Sequence, residues 1–188
     1  MSKYKIPDKG LKEEDLFQIM DESIKSDIDW KSGKAFDAVY YPGENYSNVI
    51  SKAFNRFVHE NAFDPKLFNS ILSMENELVA QTSSLFSKND NLIGNLTSGG
   101  TESIFLSILS ARNWSKKTKG IINPEVILSS SSHPAFLKAM QFLNVKPIVI
   151  PTKKNYKLDL ELFNSSINAN TILLVGSAPN YPYGMIDP

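Results

Sequence analysis

From residue 102 onward the chain repeats one pattern. Helix-patterned stretches at 102–116, 133–143 and 159–167 alternate with short apolar runs at 125–129, 147–150 and 171–175. Short, nearly continuous apolar runs read as strands buried on both faces. Strands joined by helices run parallel, because the helix carries the chain back across the sheet. The pattern predicts an α/β fold, a mostly parallel sheet covered by helices on both faces. Ligands of such sheets bind in the crevice at the carboxyl ends of the strands. Three segments fall there: 97–103, the loop 129–133 and the loop 176–183. The run Ile172–Val175 is as apolar as a central strand, so a chain stopping soon after it would leave that edge unpaired. We expect further sequence beyond Pro188.

Residues 1–90 read differently, as a helical segment preceding an α/β part at 91–188. Leu16, Ile19, Met20 and Ile24 form one stripe of an amphipathic helix over 11–24. Residues 31–48 look irregular, with turn signals at Ser32-Gly33 and Pro42-Gly43. Helices are expected over 49–59 and 67–86, with a break at 61–65 and a polar turn at 88–91.

Between the two parts lies Thr97-Ser98-Gly99-Gly100-Thr101-Glu102-Ser103, after the apolar residues Leu92, Ile93 and Leu96. Paired glycines let the backbone approach a ligand with no Cβ in the way. The helix behind them presents unpaired N–H groups and the positive end of its dipole. Hydroxyls add donors, and together these features suit a phosphate. The common dinucleotide and nucleotide-hydrolase glycine loops are both absent. A plainer reading is a turn with Thr101 capping the helix. His133, just before Pro134, likewise reads on its own as a helix-start residue.

Composition removes several alternatives. Lys plus Arg equals Asp plus Glu at 20 each, and the cations are scattered, which argues against nucleic acid or a membrane surface held by charge. There is no cysteine and there are only two histidines, so disulfides, thiolate zinc sites and His-rich metal sites are not expected. No signal core or membrane-spanning stretch is visible, so the cytoplasm is the expected location.

Five blocks resemble the pyridoxal-phosphate-dependent lyases of the decarboxylase-like group, the sphingosine-1-phosphate lyases in particular. They are Asp29-Trp30-Lys31-Ser32-Gly33-Lys34 with Ala38-Val39-Tyr40; Asn61-Ala62-Phe63-Asp64-Pro65 with Met74-Glu75; Thr97 to Ser103; Ser132-His133-Pro134-Ala135-Phe136 with Lys138-Ala139; and Ser177-Ala178-Pro179-Asn180-Tyr181-Pro182 with Gly184, Ile186, Asp187 and Pro188. The resemblance implies a fold-type-I transferase large domain, incomplete here, after a helical N-terminal segment. It implies pyridoxal 5'-phosphate as cofactor, with Gly100 and Thr101 cupping its phosphate and Ser98, Gly99 and Ser103 in support. His133 matches the histidine that stacks on the pyridine ring, and Ser177 lies in a loop like the cofactor-side loop. Tyr40 and Asn61 match positions that reach the active site, in part across a homodimer interface. Arg56 and Arg112, the only arginines, lie outside the matched substrate blocks.

Two departures stand out. Asp64 occupies the place where the group usually has a histidine near the substrate phosphate, and Ala62 replaces a proline. An acid there would repel a phosphate dianion, unless Asp64 simply caps a helix starting at Lys66. The Schiff-base lysine and the acid that protonates the pyridine nitrogen are expected downstream of Pro188, so no catalytic residue is assigned in this chain. The implied reaction is retro-aldol cleavage of a phosphorylated long-chain base to an aldehyde and phosphoethanolamine. The alternatives are an amino-acid decarboxylase on the same fold, and a truncated, non-catalytic product.

Overall fold

The computed structural model describes residues 6, 8–35, 39–86 and 92–188. Ala38 and the polar turn expected at 88–91 lie outside them. The chain divides into two compact units, Met1–Met74 and Glu75–Pro188.

The first unit holds α1 (Glu13–Ile24), a single 3-10 turn (Trp30–Ser32) and α2 (Glu44–Arg56). Glu13, Glu14 and Asp15 occupy the first turn of α1, where the helix dipole favours acids. Helix α2 starts five residues before its expected beginning. Gly43, at φ +95°, turns the chain, and Glu44 opens the helix directly. Polar Glu44, Asn45 and Ser47 concealed this start from the apolar pattern. The helix also ends early, so His59 lies in an exposed bend instead of on a helix. Trp30 and Tyr41 meet edge to face at 5.5 Å, and Lys31 reaches the Glu44 carboxylate at 3.1 Å. No described residue of this unit is buried. Helix α3 (Asn69–Phe86) begins in this unit and continues into the second.

The second unit is the predicted α/β layer structure: α4 (Gly100–Lys119), β1 (Glu125–Ser129), α5 (Ala135–Leu143), β2 (Lys146–Ile150), α6 (Leu160–Ser165) and β3 (Thr171–Val175). The sheet order is β2-β1-β3, and both pairings are parallel. All five residues of the central strand β1 are buried. Strand alternation sends Val126 and Leu128 to one face, where Ile108 of α4 and Ala139, Met140 and Leu143 of α5 complete a core. Ile127 faces the other way, onto Ile150, Leu158 and Phe163. Helices therefore cover both faces, and this explains the unbroken apolar runs of the sequence. The apolar run at 92–96 enters no strand pairing among the described residues.

The helix ends follow capping chemistry. Gly120 (φ +68°) closes α4 in the left-handed region after Lys116, Lys117 and Lys119. Asn144 (φ +52°) does the same for α5. The Asp159 side chain accepts from the amides of Glu161 and Leu162 and starts α6.

Candidate active site

Helix α4 runs antiparallel to the strands. Near its far end, Arg112 Nη1 donates to the carbonyl of Leu143 at 2.9 Å, just before β2 begins. From Arg112 back to Gly100 the helix rises about 18 Å, close to the roughly 17 Å of a five-residue strand. Gly100 therefore lies at the carboxyl edge of the sheet, the edge from which the 129–134 and 176–187 loops emerge.

The glycine turn is ordered by its own hydroxyls and one acid. Gly99 is the N-cap of α4, in extended conformation, and no side chain caps the helix. Thr101 is thus inside the first turn and is not the cap that the plainer reading expected. The first intrahelical bond runs from Ser103 N–H to the Gly99 carbonyl (3.1 Å), which leaves the amides of Gly100, Thr101 and Glu102 without an intrahelical partner. The Thr97 and Ser103 hydroxyls pair at 2.7 Å, and Thr97 Oγ1 also donates to the Gly99 carbonyl at 3.1 Å. Ser98 gives both its amide and its hydroxyl to Glu102 Oε2, each at 2.7 Å. These two bonds, the hydroxyl's first and the amide's second, hold the Glu102 carboxyl below its ordinary range. Ser98 and Ser103 are therefore occupied within the turn, and the exposed hydroxyl of Thr101 is the one left over.

The turn fits a phosphate. Apart from its chain neighbours and the helix's own backbone, a Cβ added at Gly99 or Gly100 would meet no atom within 4 Å among the described residues. Neither residue needs a left-handed backbone, so neither packing nor conformation of the chain itself demands glycine. The space that they leave open faces unpartnered amides at a helix start, which suits an anion.

His133 follows β1 through Ser129 to Ser132. Its Nδ1 accepts the amide of Ala135 at 3.1 Å, so the helix-start reading of this residue holds. That bond also fixes the ring: in the neutral form the proton sits on Nε2, and the residue is exposed. Beneath it, Ser129 and Ser131 pair at 2.8 Å. Ser132 Oγ is shielded from solvent with no hydrogen-bond partner among the described residues, an orphaned donor beside the candidate ring-binding histidine.

Ser177 sits in a loop closed by Asp187. The Ser177 amide donates to Asp187 Oδ2 (2.9 Å), the Asp187 amide donates to the Ser177 carbonyl (3.0 Å), and the Leu158 amide donates to Asp187 Oδ1 (3.4 Å). Asn180, 2% exposed, plugs the loop, accepting the amides of Tyr183 and Met185 and donating to the Tyr156 carbonyl. Tyr183 stacks on Tyr156 at 4.1 Å. Glu102 and Asn180 were not singled out from the sequence. Glu102 had a readable signal, an acid three residues after a helix N-cap; a buried asparagine inside a loop has none.

The remaining candidates lie in the first unit. Tyr40 is 91% exposed. Asn61 Oδ1 accepts the Phe63 amide at 3.0 Å. Asp64 Oδ1 accepts the Lys66 amide at 2.9 Å, an Asx-type turn that precedes α3, whose helix starts at Asn69 and not at Lys66.

No family model matches the chain. Curated relatives do. It is 40% identical to the sphingosine-1-phosphate lyase of Oryza sativa subsp. japonica over 176 residues, 89% of this chain and 32% of that protein. Over 191 residues it is 38% identical to the sphingosine-1-phosphate lyase of Arabidopsis thaliana, covering 97% of this chain and 35% of the relative. Among solved structures, the Burkholderia pseudomallei sphingosine-1-phosphate lyase superposes with a TM-score of 0.90 at 32% identity, covering 100% of this chain and 45% of that one. The Lactobacillus brevis glutamate decarboxylase shares the fold, with a TM-score of 0.81 at 16% identity over 100% of this chain and 44% of its own. The chain thus spans about a third of the length of these curated relatives.

Proposed function

This chain belongs to the pyridoxal-phosphate-dependent decarboxylase-like lyases, and from that premise we propose that it is the phosphate-holding part of a carbon–carbon lyase resembling sphingosine-1-phosphate lyase. Its substrate class is a phosphorylated long-chain amine. Residues 91–188 form the start of the cofactor domain and residues 1–90 the helical segment before it. The protein works in the cytoplasm as a homodimer; among the described residues no helix is long and apolar enough to cross a membrane.

Pyridoxal phosphate, when bound, supplies an electron sink for breaking a bond next to the carbon that bears the substrate amine. The protein's own groups do the rest. The amides of Gly100, Thr101 and Glu102 and the Thr101 hydroxyl hold the phosphate. Ser98, Gly99 and Ser103 shape the turn. His133, its Nδ1 held by the Ala135 amide, offers a ring face of fixed orientation to the pyridine. Ser177 borders the site from the loop after β3. The resemblance assigns Tyr40, Asn61 and Asp64 to substrate contact.

The observation that carries this reading is the pair of glycines whose open space no feature of the chain itself requires. Gly100→Ala tests it. Its Cβ touches nothing beyond its chain neighbours and its own helix backbone among the described residues, and alanine is the better helix former by up to about 1 kcal/mol. The variant should melt no lower than the wild type in a thermal scan, yet lose at least about tenfold in cofactor affinity by absorbance titration. Unchanged affinity would remove the phosphate from this turn. A second reading, an amino-acid decarboxylase, draws on 31% identity to the probable L-aspartate decarboxylase of Pyrococcus abyssi over 97% of this chain. Carbon dioxide release from aspartate or glutamate, with no aldehyde from a phosphorylated long-chain base, would favour it.

A further inference from the structure

The glycine pair poses a mechanical problem. Gly99 and Gly100 leave room for a ligand because they have no side chains, and for the same reason nothing on them restrains the turn. Glycine loses more conformational freedom on ordering than any other residue. A floppy cradle would have to be ordered by the phosphate itself, which weakens binding. The restraint must come from elsewhere without filling the space.

Glu102 meets that requirement. It is the third residue of α4, the position whose carboxylate in a capping box reaches back to the N-cap amide. Here it reaches one residue further, to the amide and hydroxyl of Ser98, both on Oε2 at 2.7 Å. The Gly99 amide is thereby not consumed by the box. With Ser98 held on one side, the Gly99 carbonyl is held on the other by Ser103 N–H and Thr97 Oγ1 at 3.1 Å each. In a trans peptide the C=O and N–H point in opposite directions. Fixing the Gly99 carbonyl toward the helix therefore aims the Gly100 amide outward, past the helix start. The two glycines are clamped from both flanks by residues that stay out of the space above them.

Resting on the phosphate-turn reading above, we propose that Glu102 is a positioning residue: it presets the Ser98–Gly100 backbone so that the Gly100 and Thr101 amides meet the cofactor phosphate already ordered. The obvious objection is charge. A carboxylate in the first turn of an anion-binding helix repels a phosphate dianion. The geometry answers part of this, since the carboxylate is turned back toward Ser98 and shares its charge with two short hydrogen bonds. Positioning and repulsion predict opposite signs for its removal, so the two are separable by experiment.

The test uses the intact protein and two probes, pyridoxal phosphate and pyridoxal, which lacks the phosphate. Wild type should bind the first far more tightly. Glu102→Ala should lose about tenfold more affinity for pyridoxal phosphate than for pyridoxal. Glu102→Gln should stay within about threefold of wild type, because its amide oxygen still accepts from Ser98. Ser98→Ala, which removes one of the two donors and leaves the helix untouched, should repeat the loss at smaller size; it carries the test should Glu102→Ala fail to fold. Pyridoxal phosphate binding by Glu102→Ala as tight as wild type, or tighter, would overturn the proposal, with repulsion outweighing positioning. So would equal losses for both probes, the mark of general damage. Wild type that does not distinguish the two probes is a different failure, since it removes the phosphate turn itself.

Discussion

Asp64 has a local task that its aligned position does not explain. Its Oδ1 accepts the Lys66 amide at 2.9 Å, and its carbonyl accepts the Leu67 and Phe68 amides at 3.1 and 3.0 Å. An asparagine could make all three bonds. Asp64→Asn therefore separates the turn from the charge: stability should stay within about 0.5 kcal/mol. An exposed charge pair a few ångström apart interacts by about 1 kcal/mol in a water-like medium. KM for a phosphorylated amine should then fall about fivefold, and less at high salt, while KM for the same amine without phosphate stays put. KM values left unchanged by the substitution for both substrates would make Asp64 a turn former only. His133 carries a similar double duty, since the bond that starts α5 is the one that orients its ring.

The elements that were legible from sequence are those whose pattern is set by burial. Strand β1 is buried throughout and reads as an apolar run; the Asp159 cap marks the start of α6 before any contact is considered. The apolar pattern places the start of helix α2 too late, because its first turn carries Glu44, Asn45 and Ser47. The run at 92–96 reads as a strand only through its apolar content, and a strand exists only where another pairs with it. A further element-scale device was invisible in sequence because it joins residues far apart. At the amino edge of the sheet, Glu125 of β1 binds Lys146 of β2 at 2.8 Å and Asn168, ahead of β3, at 2.8 Å. Lys146 first and then Asn168 hold the Glu125 carboxyl below its ordinary range. A depressed carboxyl contributes stability that is fully present above its unfolded value and is lost as pH falls through the folded one. Unfolding free energies of wild type and Glu125→Gln from urea titrations should differ by about 1–2 kcal/mol at neutral pH. They should converge as pH falls below about 4. A difference that does not shrink in acid would mean that the carboxylate charge is not what ties the three strands.

On the scale of the molecule, the two units stand in contrast. The second has a core on each side of its sheet; the first has helices and no buried residue among those described. A helix of 13 residues is marginal in water by itself, so α2 needs apolar burial that its own unit does not supply. It carries the means: Tyr46, Val49, Ile50 and Phe54 fall on one stripe, each more than 60% exposed. Burying such side chains is worth about 1.5–3 kcal/mol each, and in a twofold dimer every contact counts twice. If this stripe is where the proposed homodimer meets, Phe54→Lys and Val49→Lys should each raise the dimer dissociation constant by at least tenfold in sedimentation equilibrium. Asn48→Lys, on the opposite side of the same helix, should change nothing. A protein whose dimer survives both stripe substitutions buries this face against itself, and the subunit contact must then be sought elsewhere.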